Sequence, residues 1–176
     1  MDPTEKKTVL YEEHLELGAK MTPYGGYLMP LQYEGIIAEH RAVREEVGVF
    51  DVSHMGEFLI KGDEAAAFLD KLLTNPVSDL KVGRVRYSPM CYKTGGTVDD
   101  LVVYALDEGY MLVVNAANRH KDAEWIKSLL PEQGVTFEDI SEETSLLAVQ
   151  GPKSKDVMGS IGEGLPTRFF SYKNID

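Results

Sequence analysis

The stretch VRYSPMCYKTGGTVDDLVVYALDEGYMLVVN, residues 85–115, decides the fold. Its apolar segments predict three consecutive strands, at 85–92, 97–106 and 110–115. The short links between them, 94–96 and 107–109, carry Gly and Asp, the residues that form tight turns. Strands joined by tight turns pair antiparallel, whereas parallel strands need long crossover connections. The stretch therefore predicts an α+β protein with a mostly antiparallel sheet and packed helices, and argues against a doubly wound fold.

Periodicity outside this stretch predicts the remaining elements. Helices are expected at 11–18, 35–47, 64–73, 119–130 and 152–161, and further strands at 49–51, 55–60, 135–139 and 145–150. Asp63 and Asn118 are the predicted N-caps of the third and fourth helices. Residues 22–30 are expected to form a loop that packs on the protein, because they contain several large apolar side chains.

Three regions are expected along the chain. Residues 1–48 form an N-terminal segment and helix that pack on the domain, and 49–165 form the α+β domain. Residues 166–176 begin a further element, since 169–172 looks like a strand with nothing after it to complete it. The expectation is that the remainder of a larger protein is absent.

Composition excludes several classes of protein. The 176 residues include 18 Lys and Arg against 29 Asp and Glu, a net charge of −11, which disfavours nucleic acid and anionic membranes as partners. The single cysteine, Cys91, allows no internal disulfide, and no His lies at a metal-ligand spacing from it. No apolar run is long enough to span a bilayer, and no signal peptide is recognisable. These features favour a soluble, cytoplasmic protein without a metal.

Two adjacent aspartates enter the second strand of the deciding stretch. Side chains alternate along a strand, so Asp100 shares a face with Val102 and Tyr104, whereas Asp99 points to the other face. A two-residue loop at 108–109 would pair residues whose numbers sum to 217, which places Asn115 diagonal to Asp100. A carboxylate, a carboxamide and an aromatic ring on one face can bind a donor-rich heterocycle. On residue chemistry alone, the alternative that both aspartates merely shape the turn is favoured.

Three other residues carry weaker signals. His54 is either a base or a group that satisfies the backbone, and the second interpretation is favoured. Met55 is more often a core residue than a site residue. Cys91 has no activating neighbour in sequence and is expected to be a buried, inert thiol.

Several blocks, taken together, resemble the N-terminal half of the glycine cleavage system T protein family, the aminomethyltransferases. The matching segments are 13–21, 25–31 (with Tyr27 where the family usually has Trp), 49–57, 95–101 and 113–118. Members of that family take an aminomethyl group from the lipoyl arm of the H protein and release ammonia. They pass the one-carbon unit to tetrahydrofolate, giving 5,10-methylenetetrahydrofolate. The resemblance implies the same substrate and partner here, with tetrahydrofolate as co-substrate and no metal.

The resemblance also assigns roles to individual residues. Asp100 matches the catalytic aspartate beside the folate nitrogens, and Asn115 matches the pterin-binding asparagine. The other positions that line the family's folate pocket are Met55, Tyr87, Tyr104 and Val113.

Family members are about twice as long as this chain, and their later half carries further pterin-binding residues. The 176 residues alone are therefore expected to bind folate poorly, to have little activity and to self-associate through uncovered apolar surface. Two alternatives stay open. One is the folate-binding half of a sarcosine or dimethylglycine oxidase, and the other is a non-catalytic folate-binding module.

Overall fold

The computed structural model describes residues 5–175. Its helices are α1 (Tyr11–Glu16), α2 (Ile36–Glu45), α3 (Ala65–Leu72), α4 (Arg119–Ser128) and α5 (Ser154–Ile161). Its strands are β1 (Lys6–Lys7), β2 (Lys20–Tyr24), β3 (Tyr27–Gln32), β4 (Gly48–Asp51), β5 (Gly56–Lys61), β6 (Val85–Cys91), β7 (Thr97–Ala105), β8 (Tyr110–Val114), β9 (Thr136–Asp139) and β10 (Leu147–Gln150). None of the helices within 5–175 combines the length and apolar character that crossing a bilayer requires.

One compact unit comprises residues 55–144 together with the end of the chain from Pro166. Its five-stranded sheet has the order β6-β7-β8-β5-β9, and every pairing in it is antiparallel. Helices α3 and α4 contribute Leu69 and Ile126 to a core that also contains Phe58, Val103 and Leu112, all of them fully buried. The predicted α+β fold with a mostly antiparallel sheet is confirmed.

The other compact unit runs through the N-terminal region to His54 and includes 145–165. It contains a three-stranded sheet of order β1-β3-β2 and an antiparallel pair formed by β4 and β10. The pairing of β4 with β10 continues at Val52, whose backbone N–H donates to the carbonyl of Leu146. Helices α1, α2 and α5 complete this unit.

The prediction of a loop at residues 22–30 is wrong, because most of that segment is the β2–β3 hairpin. Tyr24 pairs with Tyr27 across a two-residue turn made by Gly25 and Gly26. Both glycines have positive φ, 58° and 85°, which is the conformation that a tight hairpin turn of this kind needs. The aromatic residues that suggested a packed loop are therefore strand residues.

The predicted helix caps also need correction. Helix α3 is preceded by Glu64 rather than Asp63, and no side-chain cap is made there. Asn118 does stand immediately before α4, but its side chain does not cap the helix. Its amide donates instead to Asp99, at 2.9 Å. Helix α5 begins at Ser154, two residues after the expected first position at Pro152.

The register of the β7–β8 hairpin differs from the prediction by two residues. Tyr104 pairs with Met111 and Val102 with Val113, so paired numbers sum to 215. The difference arises because Gly109, with φ of 86°, follows the turn instead of forming its centre. A shift of two residues keeps every side chain on its predicted face.

Residues 169–172, which were expected to begin a strand, form backbone hydrogen bonds with residues 83–85, at the start of β6. The N–H of Val85 donates to the carbonyl of Phe170, and the N–H of Tyr172 donates to the carbonyl of Gly83. Arg84 and Ser171 form an antiparallel bridge between these bonds.

Candidate functional site

The sheet of the 55–144 unit has one face turned away from its core. Strand β7 buries Leu101 and Val103 among the core residues, and alternation sends Asp100, Val102 and Tyr104 to the other face. Asp100 is exposed at that face. The cross-strand partners Val102 and Val113 place β8 beside it in register.

Asn115, at the end of β8, links the two adjacent aspartates through hydrogen bonds from its side chain. Its side-chain nitrogen lies 3.1 Å from Oδ1 of Asp100, 3.1 Å from the backbone oxygen of Asp100 and 3.0 Å from Oδ1 of Asp99. One amide thus bridges both adjacent aspartates, although their side chains leave the strand in opposite directions. Because the –NH2 group is directed at these acceptors, the carbonyl oxygen of Asn115 is left to accept from a ligand.

Two tyrosines flank the Asp100 carboxylate on the same face. Tyr87 on β6 is 45% exposed, and the pKa of its hydroxyl is raised, chiefly by its hydrogen bond to Asp100. Desolvation raises the pKa of the half-buried Tyr104, so that phenol also stays neutral. The ring of Tyr104 packs edge-on against Tyr172, with the centroids 5.6 Å apart. The face therefore combines one exposed carboxylate with neutral aromatic hydroxyls.

The remaining residues that the resemblance assigns to the folate pocket lie on the same sheet. Val113 is buried on β8 opposite Val102. Met55 is half-buried and immediately precedes β5, whose first residue Gly56 pairs with Val114. Met55 therefore lies at the end of the sheet that carries Asn115. Direct hydrogen bonds join Tyr87, Asp100 and Asn115, whereas Met55, Tyr104 and Val113 are related to them by their places on the sheet.

Neither aspartate shapes the preceding turn. That turn is closed by backbone hydrogen bonds between Tyr92 and the Gly95–Gly96 pair, with Gly95 at a φ of 89°. Asp99 and Asp100 instead lie inside β7. The interpretation that both aspartates merely shape this turn, which residue chemistry alone favoured, is therefore wrong.

The sequence reasoning did not identify Asp122 as part of this region. Asp122 lies in the first turn of α4, is fully buried and forms a hydrogen bond with Asp99, which is 6% exposed. The pKa of Asp122 is raised to about 8, first by burial and then by Asp99, while the pKa of Asp99 is lowered by its hydrogen-bond donors. The sequence did contain an indication that Asp122 is buried, because Asp122 stands four residues before Ile126 on the apolar stripe of the helix.

Glu57 is a second buried carboxyl group in the same unit. It pairs with Val113 across the sheet, is 1% exposed, and neither of its carboxyl oxygens has a hydrogen-bond partner within residues 5–175. Burial raises its pKa to about 7, against the opposing attraction of Arg119. Glu57 is therefore partly protonated near neutral pH.

The weaker sequence candidates lie elsewhere. His54 is buried, its ring packs edge-on against Tyr24 and Tyr27, and burial lowers its pKa, so it is neutral. Its Nδ1 is buried and has no hydrogen-bond partner in the described part of the chain. Cys91 is free and only half-buried, which corrects the expectation of a buried thiol. Across residues 5–175, no group of three or more His, Cys, Asp or Glu is arranged to hold a metal ion.

Comparisons with known proteins identify the family to which the chain is similar. The family model for the GCVT N-terminal domain matches residues 10–175. The chain is 55% identical over 154 residues to an aminomethyltransferase of Desulforamulus reducens, covering 87% of this chain and 42% of that protein. It is 52% identical over 165 residues to an aminomethyltransferase of Thermus thermophilus, covering 93% of this chain and 47% of that protein.

A solved structure shares the fold. The crystal structure of glycine cleavage system aminomethyltransferase T from Bartonella henselae aligns with a TM-score of 0.87 and 34% identity, over 94% of this chain and 46% of that one. The chain therefore spans about half the length of the curated relatives it matches.

Proposed function

This chain belongs to the aminomethyltransferase (glycine cleavage T protein) family, matching the N-terminal half of its members, and we propose that it contributes the folate-facing residues of such an enzyme. The complete enzyme takes the aminomethyl group from the lipoyl arm of the H protein, releases ammonia and passes the one-carbon unit to tetrahydrofolate. The product is 5,10-methylenetetrahydrofolate. The observation that carries the proposal is the Asn115 amide, which links an exposed Asp100 to the buried Asp99 beside neutral tyrosines.

Asp100 is the proposed catalytic residue. The reaction requires a folate nitrogen to attack an electrophilic methylene carbon, so positive charge develops near that nitrogen and a proton is lost. A fixed carboxylate can orient the nitrogen, stabilise the developing charge or accept the proton. Asp100 suits these roles because its carboxylate is exposed and held by the Asn115 amide and the Tyr87 hydroxyl.

The other residues on this face are proposed to bind the pterin and the rest of the folate. Asn115 offers a carbonyl oxygen, which matches a heterocycle rich in N–H groups. Tyr87 and Tyr104 supply aromatic surface, and Met55 and Val113 supply apolar surface. Each of these roles follows from the family resemblance and is consistent with the shared sheet face.

A transferase is the better supported of the two catalytic alternatives. The relatives at 52% and 55% identity are named aminomethyltransferase, and neither name refers to an oxidase. The retained pair of aspartates argues against the other alternative, a non-catalytic folate-binding module, because a protein that only binds folate does not need the catalytic carboxylate. We accordingly propose lipoylated H protein and tetrahydrofolate as the partners, and a cytoplasmic location.

The test is a turnover assay on the full-length enzyme, meaning a complete aminomethyltransferase that carries this sequence as its N-terminal half. Lipoylated H protein loaded with the aminomethyl group and tetrahydrofolate are supplied, and ammonia and 5,10-methylenetetrahydrofolate are measured. Both products should form in equal amounts, and only when both substrates are present.

A matched control separates the site from general effects of removing a charge. Asp107→Asn neutralises an exposed aspartate in the β7–β8 turn, so turnover should match that of the unmodified enzyme. If tetrahydrofolate is not consumed although the enzyme is folded, the proposed function is wrong.

A further inference from the structure

The pair formed by Asp99 and Asp122 places two carboxyl groups in contact where water does not reach. Asp122 is fully buried, and the side chain of Asp99 lies beneath the sheet, on the side of α4. Two carboxylates in contact inside a protein cannot both be charged, since each disfavours ionisation of the other and burial disfavours both. The pair therefore holds one proton.

The neighbouring donors decide which residue holds it. Oδ1 of Asp99 accepts from the amides of Asn115 and Asn118, at 3.0 and 2.9 Å. These donors favour the charged form of Asp99. Neither oxygen of Asp122 receives a hydrogen bond from any donor among residues 5–175. Asp122 therefore keeps the proton and donates it toward Asp99, whose second oxygen has no other partner within that range.

The orientation of both asparagines follows from a charged Asp99. Asn118 accepts from Nζ of Lys121 at 3.1 Å through its carbonyl oxygen, which leaves its –NH2 group to donate to Asp99. Asn115 directs its –NH2 group at Asp99 and Asp100 together, so its carbonyl oxygen points elsewhere. A neutral residue in place of Asp99 would remove one of the two charged acceptors, Asp99 and Asp100, that distinguish the two ends of the Asn115 amide.

We propose that Asp122 and Asp99 are positioning residues for the site: the proton held by Asp122 keeps Asp99 an acceptor, and Asp99 fixes Asn115 with its carbonyl oxygen toward the ligand. The ligand group opposite that oxygen must then carry N–H donors, as a reduced pterin does. The inference rests on the proposed function, because it concerns how the same site recognises folate. The inference adds Asp99 and Asp122 to the proposed site as buried residues that do not touch the substrate.

The charged and polar groups around the two carboxyl groups determine how the pair titrates. Asp99 contacts Asp122 from β7 and disfavours its ionisation, and the charge of Asp100 on the opposite face of the strand does so more weakly, whereas Lys121 on α4 favours it. Asn115 and Asn118 face Asp99 from the turn before α4 and carry no charge. When Asp122 loses its proton at high pH, the two carboxylates repel each other and the arrangement around Asn115 is disturbed.

The first experiment needs no folate. Carbon-13 NMR of the Asp122 carboxyl carbon in the full-length enzyme should show a neutral acid at pH 7 that ionises near pH 8. Ionisation near pH 4 would overturn the inference and leave the proposed function intact.

The second experiment measures tetrahydrofolate dissociation constants by titration calorimetry between pH 7 and 9. Asp122→Asn keeps a neutral donor toward Asp99, so its affinity should stay within about twofold of wild type at pH 7. Asp122→Leu removes that donor and should weaken binding about tenfold, with the KM for H protein unchanged. The wild-type affinity should fall as Asp122 ionises, whereas Asp122→Asn should show no such fall.

Glu124→Gln is the matched control, since Glu124 lies on the same helix with an exposed side chain. It should retain the wild-type affinity and pH profile. Equal tenfold losses in Asp122→Asn and Asp122→Leu, or a fall with pH that persists in Asp122→Asn, would assign Asp122 a structural role only. Absence of any tetrahydrofolate binding by the wild-type enzyme would contradict the proposed function itself, and with it the ligand inferred here.

Discussion

The side-chain nitrogen of Asn115 lies 3.1 Å from Oδ1 of Asp100. Asp100 lies on β7 and Asn115 directly follows β8 of the same hairpin, and the amide holds the exposed carboxylate at the sheet surface. A hydrogen bond to a charged acceptor is stronger than one between neutral groups. The side-chain position of Asp100 is therefore set by a residue fifteen positions away in the sequence.

Asp100→Asn tests the proposed catalytic role. The carboxamide keeps the shape of the side chain but cannot take a proton or stabilise a positive charge. Methylene transfer by the full-length enzyme should fall by about two orders of magnitude. Thermal stability should change little, because Asp100 is exposed. The measurement is steady-state formation of 5,10-methylenetetrahydrofolate.

Asp99→Asn provides the comparison. Asp99 is buried and is proposed to act through Asn115, so its replacement should affect folate affinity more than the maximal rate. Near-normal turnover of Asp100→Asn would contradict the catalytic assignment. A larger fall in the maximal rate of Asp99→Asn would move the assignment to that residue.

Asn115→Ala tests folate recognition. The substitution removes the proposed acceptor for the pterin and also frees both aspartates, so tetrahydrofolate binding should weaken by about 1–3 kcal/mol. Isothermal titration of the full-length enzyme measures the change. Asn174→Ala, at an exposed asparagine, should leave the affinity unchanged. If Asn115→Ala binds as tightly as wild type, the pterin-binding role has been assigned to the wrong residue.

The sequence predicted the sheet better than it predicted the details of the site. Alternation along β7 correctly placed Asp100, Val102 and Tyr104 on one face, because a period of two is insensitive to where a turn begins. The register was wrong because the residue pattern does not show whether Gly109 forms the centre of the turn or follows it.

Contacts between distant segments explain what the sequence missed. Asn118 was predicted to cap α4, which is the usual local role of Asn at that position. In the structure Asp99, nineteen residues earlier, offers a charged acceptor and takes the amide instead. Asp122 similarly appears in the sequence as an ordinary acidic residue near a helix start. Its partner becomes apparent only when β7 and α4 are placed together.

Glu57→Gln tests the buried carboxyl group on β5. Burial raises the pKa of Glu57 from 4.5 to about 7, so the stability associated with its neutral form is present at low pH and is lost as the pH rises through 7. Glutamine has no charge to bury. The variant should therefore gain stability relative to wild type between pH 4.5 and 8, by at most about 3 kcal/mol.

Urea unfolding at pH 4.5 and pH 8 measures this difference. Glu138→Gln, an exposed substitution on the neighbouring strand β9, should show no comparable change with pH. A difference between Glu57→Gln and wild type that is the same at both pH values would mean that Glu57 ionises normally in the folded protein.

The 176 residues tested alone should show no aminomethyltransferase activity. The aligned parts of the chain cover 42% and 47% of the length of two matched aminomethyltransferases, and a folate pocket binds tightly only when it buries most of its ligand. Folate binding should be no tighter than roughly millimolar. Turnover assays and calorimetry on this chain check both points.

The same chain should also self-associate. Ile36, Ile37, Val49 and Leu147 are all at least half exposed, and apolar surface of this kind favours burial against another copy. Sedimentation velocity at several concentrations should show species larger than a monomer. Replacing Ile36 and Ile37 with lysine should reduce the association, because charged side chains at these exposed positions resist burial. Micromolar folate binding by a monomer would instead show that the pocket is complete within these 176 residues, which would contradict the expectation that they supply only part of it.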